Sequence, residues 1–128
     1  MKYLKHYWIS KDGSWATATN PVEKRHPEAD YPGLGVKIWM RDSDGVDVCL
    51  SEVPDSTAIS TITVGSKNAV IELTEEQFNS VKTPLDESFA ARQEAMEAEM
   101  SGDADAAATK NALAETKYTE ATTALHAL

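Results

Sequence analysis

The sequence predicts an α+β protein: a small, mostly antiparallel β-sheet domain followed by a short helix and a C-terminal alanine-rich helical pair. Three observations predict it. Every Val and Ile lies before Pro84, together with seven of the nine aromatic residues. After Pro84, thirteen alanines fall between Ala90 and Ala127. Between these regimes stand two helix-start signatures, at Thr74 and Thr83. Branched and aromatic side chains pack well on a pleated sheet, whereas Ala, Leu, Met, Glu and Gln lose little entropy in a helix. The expected division is a β-rich core domain with a short helix over 1–83 and an acidic, alanine-rich helical extension over 84–128.

Within the first part, Lys5, Tyr7 and Ile9 alternate with Leu4, His6 and Trp8, as in a strand with two different faces. Asp12-Gly13 supplies a turn that tolerates positive φ, and Trp15 to Thr19 resumes in extended style, which predicts a hairpin. Asn20 to Gly33 carries Pro21, Pro27 and Pro32 and reads as a long exposed loop. The clearest pattern follows. Val36, Ile38 and Met40 point one way, and Val46, Val48 and Leu50 join them across the Asp42-Ser43-Asp44-Gly45 turn. Ser60 to Val64 reads as a short strand, and Ala69 to Leu73 as another.

Thr74-Glu75-Glu76-Gln77 places a hydroxyl and an amide three residues apart, so each can satisfy an otherwise unpaired N–H at a helix start. Phe78 and Val81 form the expected buried face. Thr83-Pro84-Leu85-Asp86 repeats the device with Pro at the first helical position. The helix that follows, to Met100, sets Leu85, Phe89, Met96 and Met100 in one stripe. Ser101-Gly102-Asp103 breaks it, Gly102 as a C-cap and Asp103 as an N-cap. The last helix, Ala104 to near Leu128, has Ala107, Ala114, Tyr118, Ala121, Leu125 and Leu128 on one side, and these are the candidate interaction residues. Such a helix is roughly 37 Å long, against about 30 Å for a compact domain of the size of the first part. Its stripe is mostly Ala and buries little area, so a helical hairpin or a neighbouring subunit must support it.

Composition limits function. The 128 residues carry 21 Asp and Glu against 12 Lys and Arg, for a net charge of −9. That balance repels phosphates, so no nucleic-acid partner is expected. No stretch approaches the roughly 20 apolar residues of a spanning helix, so no membrane partner is expected either. A single cysteine, Cys49, cannot form an internal disulfide. Met1 to Ser10 lacks the apolar core of a signal peptide, so synthesis in the cytoplasm is the expectation.

No residue set rises to a catalytic signature, and no cofactor or metal is expected. Asp42, Asp44 and Asp47 offer carboxylates to a hard cation, but the spacing departs from an EF-hand loop and a solvated turn explains them. His26-Pro27-Glu28-Ala29-Asp30 lacks a second nearby His. Cys49 would need a base that only His6, His26 or His126 could supply. Gly33-Leu34-Gly35 lacks the third glycine of a dinucleotide site.

The run Gly35-Val36-Lys37-Ile38-Trp39-Met40, with Ala69-Val70-Ile71-Glu72-Leu73-Thr74-Glu75-Glu76-Gln77-Phe78, resembles small acidic proteins encoded by marine tailed phages. The resemblance covers residues 1–83 and transfers no functional residue. It implies a virion accessory subunit of the capsid or tail. The expected function is therefore that of a non-enzymatic structural or interaction protein, assembling through its C-terminal helices with a protein partner or with copies of itself. The alternative is a small-ligand or carbohydrate-binding module that uses exposed tryptophans among Trp8, Trp15 and Trp39.

Overall fold

The computed structural model describes residues 1–7, 9–10, 24–25, 33–41, 43, 47–62 and 70–128. Its strands are β1 (Lys2–Tyr7), β2 (Ile9–Ser10), β3 (Lys24–Arg25), β4 (Gly35–Arg41), β5 (Asp47–Val53) and β6 (Ile71–Leu73). Two helices follow, α1 (Glu75–Met100) and α2 (Ala104–His126). This is the expected α+β class. The chain divides into two compact units, Met1–Phe78 and Asn79–Leu128.

The first unit is built on a four-stranded sheet in the order β4-β5-β1-β6. Each neighbouring pair is antiparallel. Residues directly opposite one another in such a ladder share a face, so the register assigns the core. On one face Ile38 and Met40 stand opposite Leu50 and Val48, and all four are buried. Tyr3, paired with Leu73, belongs to this face, and its ring stacks on Phe78 at 4.6 Å between centroids. On the other face Leu4, Leu34, Val53 and Ile62 form a cluster with Val36, Ile59 and Val70 packed against it. β5 lies between β4 and β1 and is covered on both sides, which is why Val48, Cys49, Leu50 and Ser51 are buried in succession.

Val36 departs from the alternation. A register shift between Val36 and Ile38 puts Lys37 outside the pairing, so Val36 faces the Leu4 cluster and not Ile38. A bulge of this kind adds one residue to one strand and reverses the side-chain order beyond it. Gly35, where β4 starts, has a steric reason. A Cβ there would sit 3.1 Å from the Glu52 carbonyl oxygen of the paired strand.

Two further expectations change. Ile59–Thr61 is a 3-10 turn, closed by the Ile62 N–H donating to the Ile59 carbonyl at 3.0 Å, where a strand from Ser60 was expected. Three residues per turn bring Ile59 and Ile62 to one side, and both join the Leu4 cluster. In a strand that spacing would send them to opposite faces. Within the expected long loop of 20–33, Lys24–Arg25 pairs antiparallel with Ile9–Ser10. The expected Trp15 to Thr19 strand, Val46 and the turn residues Asp42, Asp44 and Gly45 lie outside the described residues.

α1 starts at the expected reciprocal cap. The Thr74 N–H donates to Gln77 Oε1 at 2.9 Å, and the Gln77 N–H donates to Thr74 Oγ1 at 3.0 Å. The second expected start, at Pro84, is absorbed: the short helix and the first helix of the pair are one continuous helix with Pro84 inside it. Proline has no N–H for the Ser80 carbonyl one turn earlier, which costs a helix interior roughly 3 kcal/mol. Burial of the apolar Val81 and Leu85 on either side of Pro84 works against that cost.

The register makes a direct prediction. Ile38→Asp places a carboxylate on a closed face and should destabilise by about 4 kcal/mol or more in urea unfolding. Lys37→Gln, at the neighbouring exposed position, should change stability by less than about 0.5 kcal/mol. Equal effects at both positions would contradict the register.

Candidate functional site

The second unit is a helical hairpin whose seam is made of small side chains along its middle. In this unit the buried residues of α1 are Val81, Leu85, Ser88, Ala91 and Ala95, and those of α2 are Ala107, Ala114, Ala121 and Leu125. The three α2 alanines are spaced by seven, which keeps one side of a helix facing one neighbour. Between α1 and α2, Gly102 adopts φ +82°, a left-handed conformation open to glycine. Asp103 then caps α2, its Oδ1 accepting from the Ala106 N–H at 3.0 Å.

Alanine buries little area, so what the seam gains is proximity. Ser88 Oγ donates to the main-chain carbonyl of Ala114 at 2.7 Å, and both residues are buried. A serine hydroxyl extends only one bond past Cβ, so this bond forms only where the two backbones approach closely at this point. One edge of the seam is closed by ion pairs. Lys110 Nζ lies 2.6 Å from Glu94, and Lys117 Nζ lies 3.1 Å from Glu87 and 3.4 Å from Glu120. The bond to Glu87, and then the one to Glu120, holds the Lys117 ammonium above its ordinary value of 10.5.

The large apolar residues of this unit lie elsewhere. Phe89 is 55% exposed, Met96 60% and Met100 86%. On α1, Phe89 and Met96 follow Glu87 and Glu94 by two residues, about 200° around the helix from the ion-paired edge. Tyr118 of α2, 41% exposed, follows Lys117 by about 100° and lies on the other edge of the seam. Leu113, three residues from Lys110 and four from Lys117, is a neighbour of the ion-paired edge. The expected stripe of Leu85, Phe89, Met96 and Met100 is thus divided: Leu85 is buried and the other three face solvent. The physical reason is size. A seam close enough for the Ser88 bond has no room for Phe or two Met side chains, so the alanine arc turns inward and the longer side chains turn out.

The candidate interaction residues fall into two groups. Ala107, Ala114, Ala121 and Leu125 are buried by the chain itself. Tyr118 is exposed and Leu128 partly so. Phe89, Met96 and Met100, absent from that set, are the residues this unit presents. Their mutual spacing of seven and four was visible in the sequence, but spacing alone does not say which of two helix arcs is covered.

Elsewhere, His6 and Ser51 form a buried pair, with His6 Nε2 and Ser51 Oγ 2.6 Å apart. Cys49 is the ladder partner of His6 and is also buried. Topology thus brings Cys49 and a histidine together, a juxtaposition that no spacing in the sequence indicates. All three have no accessible surface, so no substrate meets them in this conformation, and the His6–Ser51 bond ties β1 to β5. In the acidic turn, Arg41 Nε donates to Asp47 Oδ1 at 3.0 Å, which occupies one of the three candidate carboxylates. Among the described residues no three His, Cys, Asp or Glu side chains gather as a metal site would require. His26 to Asp30, Trp8 and Trp15 lie outside the described residues, and Trp39 is 54% exposed on β4. An open depression on α2 has a described lining, including Thr116, Thr119 and Thr123, that comes from this one helix. Among the described residues no helix is long and apolar enough to cross a membrane. Comparison with protein-family models, with curated proteins and with solved structures gives no match for this chain.

Two outcomes test the seam. Ala114→Leu should destabilise the protein by roughly 1–3 kcal/mol through overpacking, whereas Ala112→Leu, at an exposed position of the same helix, should be near neutral. For Lys117, a raised folded-state pKa means that its contribution is complete below the ordinary value of 10.5 and is lost as pH rises through the folded value. The stability difference between the wild type and Lys117→Met should therefore be constant from neutral pH to about 9 and shrink above about 10.5. A difference that shrinks on acidification to pH 6 would contradict the assignment.

Proposed function

We propose that this chain is a non-enzymatic interaction protein whose C-terminal helical pair presents an apolar strip to another protein chain. The observation that carries this reading is the exposure of Phe89, Met96 and Met100 along one side of α1. The seam of α1 is buried without it, and among the described residues this second apolar arc stays exposed. Large exposed apolar clusters of this kind mark contact surfaces. Burying the exposed parts of the three side chains is worth about 3–6 kcal/mol before the costs of association, which are of similar size or larger. The strip thus supports a reversible contact, strengthened by whatever surrounds it.

Sizing the protein in extracts of its native source tests the reading. The wild-type chain should migrate in a species larger than its own 13.9 kDa, and a chain carrying Phe89→Ser, Met96→Ser and Met100→Ser should return to monomer size. All three positions are exposed, so the variant should keep the wild-type circular dichroism spectrum and melting temperature. A wild-type chain at monomer size, or a variant that stays in the larger species, would overturn it.

A further inference from the structure

We infer that the strip is complementary to a basic amphipathic helix of a partner protein, a conclusion that rests on the interaction reading above and adds the chemistry of the occupant. Residues 84–128 carry nine Asp and Glu against three Lys and Arg. Two of those three cations, Lys110 and Lys117, are engaged by Glu94, Glu87 and Glu120, on the edge away from the strip. The strip itself is flanked by acid. Glu97 follows Met96 directly, and Glu99 lies three residues beyond it, one turn along α1. Both are exposed, and neither has an ion pair among the described residues. Arg92 is the one cation within a turn of Phe89 and Met96.

An apolar strip bordered by carboxylates that have no ion pair among the described residues selects its occupant by charge. A second copy of this chain carries −9 and would bring like charge against like. A helix with an apolar face bordered by Lys and Arg places its cations against Glu97 and Glu99 while its apolar side chains cover the strip. Length agrees with a helical occupant. Phe89 to Met100 spans about 16 Å at 1.5 Å per residue, three turns of helix. Methionine side chains are flexible and polarisable, and they adapt to the side chains of a partner helix without a preformed cavity.

The probe is a fluorescently labelled 14-residue peptide of Leu and Lys in amphipathic helical order, titrated with the full-length chain. Its counterpart with Glu in place of Lys is the reference. The Leu/Lys peptide should bind at micromolar concentration, weaken as salt rises, and gain helical circular dichroism on binding. The Leu/Glu peptide should bind at least tenfold more weakly. Met96→Lys should weaken the Leu/Lys peptide at least tenfold. Leu113→Lys, the same charge change beside the ion-paired edge, should weaken it less than twofold. Met96→Ser, which removes apolar surface and leaves charge unchanged, should weaken it several-fold. Equal loss from Met96→Lys and Leu113→Lys would show charge attraction without a site and overturn the proposal. So would absence of Leu/Lys binding, or a wild-type dimer in light scattering that Met96→Lys dissociates, since the occupant would then be a second copy. If the larger species in the source extract depends on the strip while the Leu/Lys peptide does not bind, the interaction reading stands and the basic-helix assignment falls.

Discussion

Close approach of the two C-terminal helices decides what the second unit can bury and what it must leave outside. The hydroxyl of Ser88 reaches the main-chain carbonyl of Ala114 at 2.7 Å. At that separation only Ser and Ala fit along the middle of the seam, and the residues found there are Ser88, Ala91, Ala95, Ala107 and Ala114. The gain per residue in apolar area is small, and it is supplemented by dispersion between well-packed backbones, by the buried serine bond and by the ion pairs of Lys110 and Lys117. Phe89, Met96 and Met100 are excluded by the same geometry, so the packing of the hairpin and the presence of an exposed apolar strip are two consequences of one constraint.

The first unit solves a different problem. Its sheet is apolar on both faces, with β5 and β1 in the interior of the strand order. Ile38, Met40, Val48 and Leu50 fill one face and the Leu4 cluster fills the other. Two polar groups enclosed between them, His6 and Ser51, bond to one another through Nε2 and Oγ at 2.6 Å. That pair places a histidine and a hydroxyl in contact without placing either in reach of solvent.

Elements governed by neighbours in sequence were legible before the structure. The reciprocal cap at Thr74 and Gln77, the Asp103 cap and the glycine break at Gly102 depend on residues a few positions apart, and the pairing of Ile38 with the Val48 strand on two runs that follow one another across a short turn. What was not legible depends on contacts distant in sequence. The bulge at Lys37 sends Val36 to the opposite face, and nothing in the alternation of β4 announces it. Pro84 reads as a helix start, yet tertiary burial around it carries the helix through. The candidate strip was half legible. The spacing of Phe89, Met96 and Met100 marks one arc of α1, and hydrophobicity alone argues that this arc is the covered one. Only the small residues of the partner helix reverse that assignment, because their size sets a helix separation that the larger side chains cannot enter.

Along the middle of this hairpin Ser88 and the alanines face inward, while Phe89, Met96 and Met100 face outward. Relaxation of methyl protons by a soluble, neutral gadolinium chelate measures that arrangement directly. The methyl groups of Met96 and Met100 should relax strongly, and those of Ala91, Ala95, Ala107, Ala114 and Ala121 should be shielded. Strong relaxation at the alanines with shielded methionines would mean that the other arc of α1 is the covered one, and the account of the seam and of the strip would fail together.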